Sequence, residues 1–152
     1  MWNTIFVAIH VIAVTGWMLL LAAPRKPLTH STILYLGVAL LCLIYLVCFV
    51  LVAGGFADPV LMTGATAQPI NLTSITGIRA FFQSDGGVVI GWTHYLAFDL
   101  FTGMWIARDA DAKGFGRLVQ LPFLLLTFLL GPVGLLSWLV VRERRARATG
   151  RG

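Results

Sequence analysis

Long apolar stretches separated by short polar connections dominate this chain. Four of them are near the roughly 20 residues that a helix needs to cross about 30 Å of hydrocarbon: 3–22, 32–53, 88–107 and 118–141. Hydrocarbon offers no water to backbone N–H and C=O groups, so each stretch is predicted to be helical. The pattern predicts an all-α integral membrane protein. A single transmembrane domain, residues 1–141, forms a four-helix bundle, and residues 142–152 form a basic tail.

The second connection, residues 54–87, is long and has a pattern of its own. Asn71 and Ser74 are helix-starting residues, and the apolar Ile75, Ile78 and Phe82 follow at helical spacing. This spacing predicts a short amphipathic helix in the membrane interface. The alternative is an ordered loop without a special role.

Composition narrows the classes of function. Apolar residues make up 59% of the chain and charged residues 11%, which leaves no segment for a soluble catalytic domain. The first residues carry no Lys or Arg and the apolar run is long, so we interpret 3–22 as a retained span and not a signal peptide. Any activity is therefore expected inside the membrane or at its surface.

The distribution of charge conflicts with four simple crossings. The net charge is +5, and basic residues cluster in the first connection, the third connection and the tail. Positive charge marks cytoplasmic segments, but four crossings place the tail opposite the two connections. A re-entrant hairpin at 131–134 would resolve the conflict. A continuous fourth helix kinked at Pro132 is the favoured prediction, because irregular backbone exposed to lipid is not tolerated at that depth.

Asp99 is the only acidic residue within the four apolar stretches. It lies roughly 16 Å into its stretch, where a charge costs about 2.5–3.5 kcal/mol, so a functional role is one interpretation. The other is structural. Pro132 leaves the carbonyl of Phe128 without its helical donor, and a neutral Asp99 carboxyl would supply one.

Further polar and aromatic residues surround Asp99 in the sequence. Trp92, Tyr95 and Thr102 share its helix face, and His94 and Trp105 lie on the neighbouring face. His10, in the first stretch, is predicted at the depth of His94, so the two rings could meet. Packing alone is the alternative interpretation for both histidines.

A long ordered motif occupies the third stretch. It reads Gly91-Trp92-Thr93-His94-Tyr95-Leu96-Ala97-Phe98-Asp99-Leu100-Phe101, continues through Gly103, Trp105 and Arg108-Asp109, and is followed by Leu121-Pro122-Phe123 and Gly131-Pro132-Val133-Gly134-Leu135. This motif resembles that of the abscisic-acid-deficient-four type of membrane protein, which plants require for neoxanthin synthesis. The resemblance implies a four-span protein linked to carotenoid or isoprenoid-lipid metabolism.

In the plant reaction an epoxide ring of violaxanthin opens and a neighbouring proton is lost, which gives an allene without net redox change. The resemblance therefore implies an isomerase that needs an acid and a base but no redox cofactor. The motif's candidates for these roles are Asp99, His94 and Tyr95. The predicted contacts to a bound carotenoid or lipid are Trp92, Thr102, Trp105 and His10.

Two other functions stay open beside the isomerase. One is a non-catalytic subunit or a pigment-binding assembly factor of a membrane complex, with a membrane-protein partner or a second copy of the chain. The other is haem ligation by His10 and His94, which lacks a second histidine pair. No metal, cofactor or nucleic acid is predicted. No plastid leader precedes the first stretch, which favours a bacterial member in the inner membrane.

Overall fold

The structure, a computed structural model, describes residues 1–149, with side chains through Glu143. These residues form helices and no strand, which confirms the all-α prediction. The helices are α1 (Trp2–Ala22), α2 (Pro27–Thr32), a π-helical segment (Ile33–Ala39), α3 (Leu40–Ala53), α4 (Ile75–Phe81), α5 (Asp85–Ala112) and α6 (Arg117–Thr149).

Three helical segments among the described residues are long and apolar enough to cross a membrane. They are Trp2–Ala22, Pro27–Ala53 and Arg117–Glu143. The second joins α2, the π-helical segment and α3, and it starts five residues before the predicted stretch because Pro27 fits the first turn of a helix. The prediction of a membrane protein is confirmed at this level.

Helix α5 is the centre of the packing. It contacts α1, α3 and α6, and many of its side chains are buried, among them Leu100. Leu100 lies where α1 and the π-helical segment present Gly16 and Gly37, since a Cβ at Gly16 would come within 2.7 Å of it. Polar residues within α5, among them Thr93, His94 and Asp99, lower its mean hydropathy, and α5 is not among the three candidate spans. Its crossing of the membrane stays a prediction, and the four-helix bundle is not confirmed.

Helix α6 folds back on itself at Leu130, whose φ of −144° and ψ of 55° are not helical. The rings of Phe123 and Trp138 lie 5.5 Å apart, although a continuous helix would separate them by about 22 Å. The Trp138 ring also lies 5.0 Å from that of Phe115, which is two residues before the start of α6. Residues 118–141 therefore form a helical hairpin. The preferred prediction of a continuous kinked helix is wrong, because Leu130 and Pro132 together end the first limb.

The hairpin brings both ends of α6 to one end of the bundle. Arg117 donates to the carbonyl of Ala23 at 2.9 Å, and Arg142 donates to Asp109 at 3.1 Å. The first connection, the third connection and the start of the tail thus lie together, and the charge conflict disappears. We call this the basic end. Its basic positions within residues 1–149 are Arg25, Lys26, Arg108, Lys113, Arg117, Arg142, Arg144, Arg145 and Arg147.

The opposite end of the bundle is built from the second connection. The indole of Trp2 donates to the carbonyl of Asp58 at 2.9 Å, which ties the start of α1 to this connection. Helix α4 forms as predicted, and Ser74 caps it by accepting from the Gly77 amide at 3.1 Å. Ile75 and Ile78 are exposed on it. Its location in a membrane interface stays a prediction.

Candidate functional site

The Asp99 carboxyl lies against the turn of the α6 hairpin. Helix α5 carries it there, and only 8% of the residue is exposed. A Cβ at Gly131 would overlap the carboxyl oxygens, so a glycine at this position lets the turn and the carboxyl approach closely. The most buried acidic group of α5 is thus placed at the break in α6.

Tyr95 lies one turn before Asp99 and bonds to the same hairpin turn. Its hydroxyl donates to the carbonyl of Leu129 at 3.2 Å. A residue outside helical φ and ψ interrupts the helical ladder, so the carbonyls before Leu130 need other donors. The sequence predicted such a contact, but between Asp99 and Phe128. In the structure the donor is Tyr95 and the acceptor is Leu129.

One oxygen of the carboxyl has no partner. Asp99 Oδ2 is buried without a hydrogen bond to any described residue. Buried polar atoms are nearly always hydrogen-bonded, and an unsatisfied one costs about 1–3 kcal/mol. The carboxyl therefore retains a free position for a proton.

An aromatic row leads from α1 to this carboxyl. The indole of Trp92 donates to His10 Nε2 at 2.9 Å and stacks on Tyr95 at 5.2 Å. His10 Nδ1 lies 2.7 Å from the Phe6 carbonyl, which can only accept, so the ring donates there and accepts from Trp92 at Nε2. Trp92 is 41% exposed, so the row presents a flat aromatic face at the protein surface.

The other predicted site residues lie outside this group. His94 is exposed and packs on Tyr45 at 5.6 Å and Phe98 at 4.6 Å, on the side of α3. His10 therefore pairs with Trp92 and not with His94. Thr102 is half-buried beyond Asp99, and Trp105 lies 5.6 Å from the guanidinium of Arg142 at the basic end. The structure thus brings Asp99, Tyr95, Trp92 and His10 into one row.

Sequence reasoning missed the role of Asp109. This carboxylate accepts from Lys113 at 2.6 Å and from the Trp138 indole at 3.0 Å, so it joins α5 to the second limb of the hairpin. Burial opposes its ionisation, but those hydrogen bonds and the Arg142 charge hold the pKa of Asp109 below its usual value. The basic tail that begins at Arg142 was the signal in the sequence that could have predicted an acidic partner such as Asp109. Within the described residues, no three His, Cys, Asp or Glu side chains form a metal-binding group.

Comparison with known proteins gives one match. A family described as ABA DEFICIENT 4-like matches residues 4–138, which is most of the chain. Searches of curated proteins and of solved structures gave no match. The matched range contains the whole aromatic row, Asp99 and the turn of the hairpin.

Proposed function

The chain belongs to the ABA DEFICIENT 4-like family. We propose that it is an isomerase of carotenoid-type isoprenoids that acts inside the membrane. The family indicates a membrane protein of carotenoid-related processes. Our proposal adds a reaction site, formed by Asp99 and Tyr95 at the turn of the hairpin. His94 lies on another face of α5 and takes no part in it.

The free oxygen of Asp99 is the observation that carries the proposal. A carboxyl that only joined helices would be expected to use both oxygens in hydrogen bonds. Oδ2 instead lacks a partner, beside a phenol that is held in place by the Leu129 carbonyl. An acid in a water-poor site next to a second hydroxyl is suited to proton transfer.

The proposed reaction conserves all atoms and electrons. Neutral Asp99 donates its proton to the oxygen of an epoxide, and the C–O bond breaks. The carboxylate then removes a proton from the neighbouring carbon, whose electron pair forms the new double bond of the allene. The Tyr95 hydroxyl orients the carboxyl, and Asp99 ends the cycle protonated. No redox cofactor is required.

The exposed face of Trp92 supplies a surface for the substrate. A polyene is flat and apolar, and it would stack on the indole from the lipid side. Trp92 itself stacks on Tyr95, so a ring bound on Trp92 would lie next to the proposed reaction site of Asp99 and Tyr95. The substrate class in this proposal is therefore an epoxidised polyene that enters from the bilayer.

A reconstituted assay tests the proposal. Purified protein in lipid vesicles is incubated with violaxanthin. The pigments are then separated by chromatography, and their masses are measured by mass spectrometry. We expect a product of unchanged mass, and a loss of at least about 100-fold in rate in Asp99→Asn. Asp85→Asn is the matched control, because Asp85 is exposed at the start of the same helix. Full activity of Asp99→Asn would overturn the assignment of the carboxyl.

A second candidate function is a non-catalytic pigment-binding factor. The close contact between Gly131 and the carboxyl favours it, because this contact shuts Asp99 off from the surface. Pigment that copurifies equally with the wild type and Asp99→Asn, without conversion by either, would support this function. A bacterial inner-membrane location and a protein partner remain predictions under both candidates.

A further inference from the structure

A cleft of about 360 Å³ opens between α2 and α5 at the basic end. Its polar wall consists of Arg25, His30, Ser31 and Arg108. Leu34 and Met104 form an apolar wall on the side of the crossing helices. The cleft is remote from the hairpin turn and shares no residue with the Asp99 site.

Two nitrogen atoms of the polar wall lack partners. The Arg25 side chain is 9% exposed, and its Nη1 bonds to Ala107, Asp111 and Gln120, but Nε is buried without a partner. His30 Nδ1 is likewise buried without a hydrogen bond to any described residue. An unpartnered buried polar atom is costly, and Arg25 Nε can only donate, so a hydrogen-bond acceptor brought within its reach would relieve that cost.

The charge around the cleft is positive. The charges of Arg25 and Arg108 both act on the His30 ring. Asp111 faces the same ring and forms an ion pair with Arg25 at 2.6 Å, which compensates one of the two arginines. Arg108 is exposed and forms no ion pair with any carboxylate of the described residues. One positive charge is therefore available to an anion.

The position of the cleft indicates where that anion comes from. The distribution of Lys and Arg predicts that the basic end is cytoplasmic, and Leu34 and Met104 continue the cleft as an apolar wall. A basic pocket between helices at this level matches a lipid headgroup, whose acyl chains would follow the apolar wall. We propose that the cleft binds the phosphate group of an anionic phospholipid, with Arg25, His30 and Arg108 as donors.

Native mass spectrometry of the full chain with added phosphatidylglycerol tests this site. We expect Arg108→Gln to weaken binding about tenfold, because it removes a charge-assisted hydrogen bond. His30→Asn should weaken binding as well, and Arg108→Lys should keep part of it. Lys26→Gln is the matched control, since Lys26 is exposed at the same end and does not line the cleft. We expect it to bind as tightly as the wild type.

Three outcomes would overturn the proposal. Unchanged binding in both Arg108→Gln and His30→Asn would exclude the cleft. An equal loss in Lys26→Gln would show attraction to the whole basic end and not a site. Inorganic phosphate that displaces the lipid and protects the protein against heat to the same extent would identify a free phosphate as the ligand. If Arg108→Gln fails to fold, Arg108→Lys replaces it in the test, because it keeps the charge and is expected to keep only part of the binding.

Discussion

The hydroxyl of Tyr95 donates to the carbonyl of Leu129, and this single bond of 3.2 Å joins the central helix α5 to the turn of the α6 hairpin. We therefore expect Tyr95→Phe to lower the free energy of unfolding by about 0.5–1.5 kcal/mol, since the ring and its stacking are kept while the donor is lost. Thermal unfolding in mild detergent measures this. Tyr35→Phe, an exposed tyrosine on the π-helical segment, is the control. Equal melting temperatures for the two variants would contradict the bond's role.

Gly131 should tolerate no side chain while Asp99 is present. Gly131→Ala places a methyl group on the carboxyl oxygens, and we expect destabilisation of about 1–3 kcal/mol from overpacking. Asp99→Ala in the same chain should recover part of that loss, which a double-mutant cycle measures. Gly116→Ala is the matched control, because nothing lies within 4 Å of its Cβ position. Additive effects of Gly131→Ala and Asp99→Ala would show that the two residues are not in contact.

The hairpin predicts which segments share a side of the membrane. Cys42 and Cys48 are first replaced, and single cysteines are then introduced by Lys26→Cys, Glu143→Cys or Thr66→Cys. A membrane-impermeant maleimide is added to sealed vesicles that contain each variant. All three positions are exposed. We expect the first two to label from one side and Thr66→Cys from the other. Labelling of Glu143→Cys from the Thr66 side would show that α6 crosses the membrane.

Stability at low pH should depend on Asp109. The pKa of this carboxyl is lower in the folded protein than its usual value of about 3.9, so its stabilising contribution is complete above that value. The contribution is lost as the pH falls through the folded-state pKa. We expect Asp109→Asn to unfold more readily at neutral pH and to show a weaker decline in stability below about pH 4. Asp85→Asn should retain the wild-type profile of tryptophan fluorescence against pH.

The sequence was sufficient for the positions of most helices, and it singled out Asp99 as a buried carboxyl. Apolar length sets helix positions in a membrane protein, so α1 and the segment Pro27–Ala53 are close to their predicted bounds. Asp99 was visible because a carboxyl in an apolar stretch is costly. The length of an apolar stretch and the presence of a carboxyl within it are properties of a single segment, and neighbouring segments do not alter them.

The fold of α6 and the partners of the histidines depended on packing. A Gly-Pro pair in an apolar stretch permits either a kink or a full turn, and contacts such as Trp138 with Asp109 decide between them. The conflict in the distribution of charge was the signal for the turn, and the contact of Gly131 with Asp99 shows that part of the irregular backbone packs on α5. The prediction that His10 and His94 meet rested on depth along their helices, but depth does not fix the direction of a side chain around its helix, and His10 contacts Trp92 instead.

The hairpin also changes how this protein responds to bilayer thickness. Helices that cross must match the hydrocarbon layer, and α1 and Pro27–Ala53 tilt or stretch the lipid when they do not. A hairpin whose two ends lie at the same end of the bundle would have no such requirement. In the predicted topology both ends of α6 lie at one surface of the membrane, which would set the depth of the Tyr95–Leu129 contact from that surface alone. Hydrophobic mismatch in a thicker or thinner membrane would then act on the surrounding helices and leave the proposed reaction site at a constant distance from that surface.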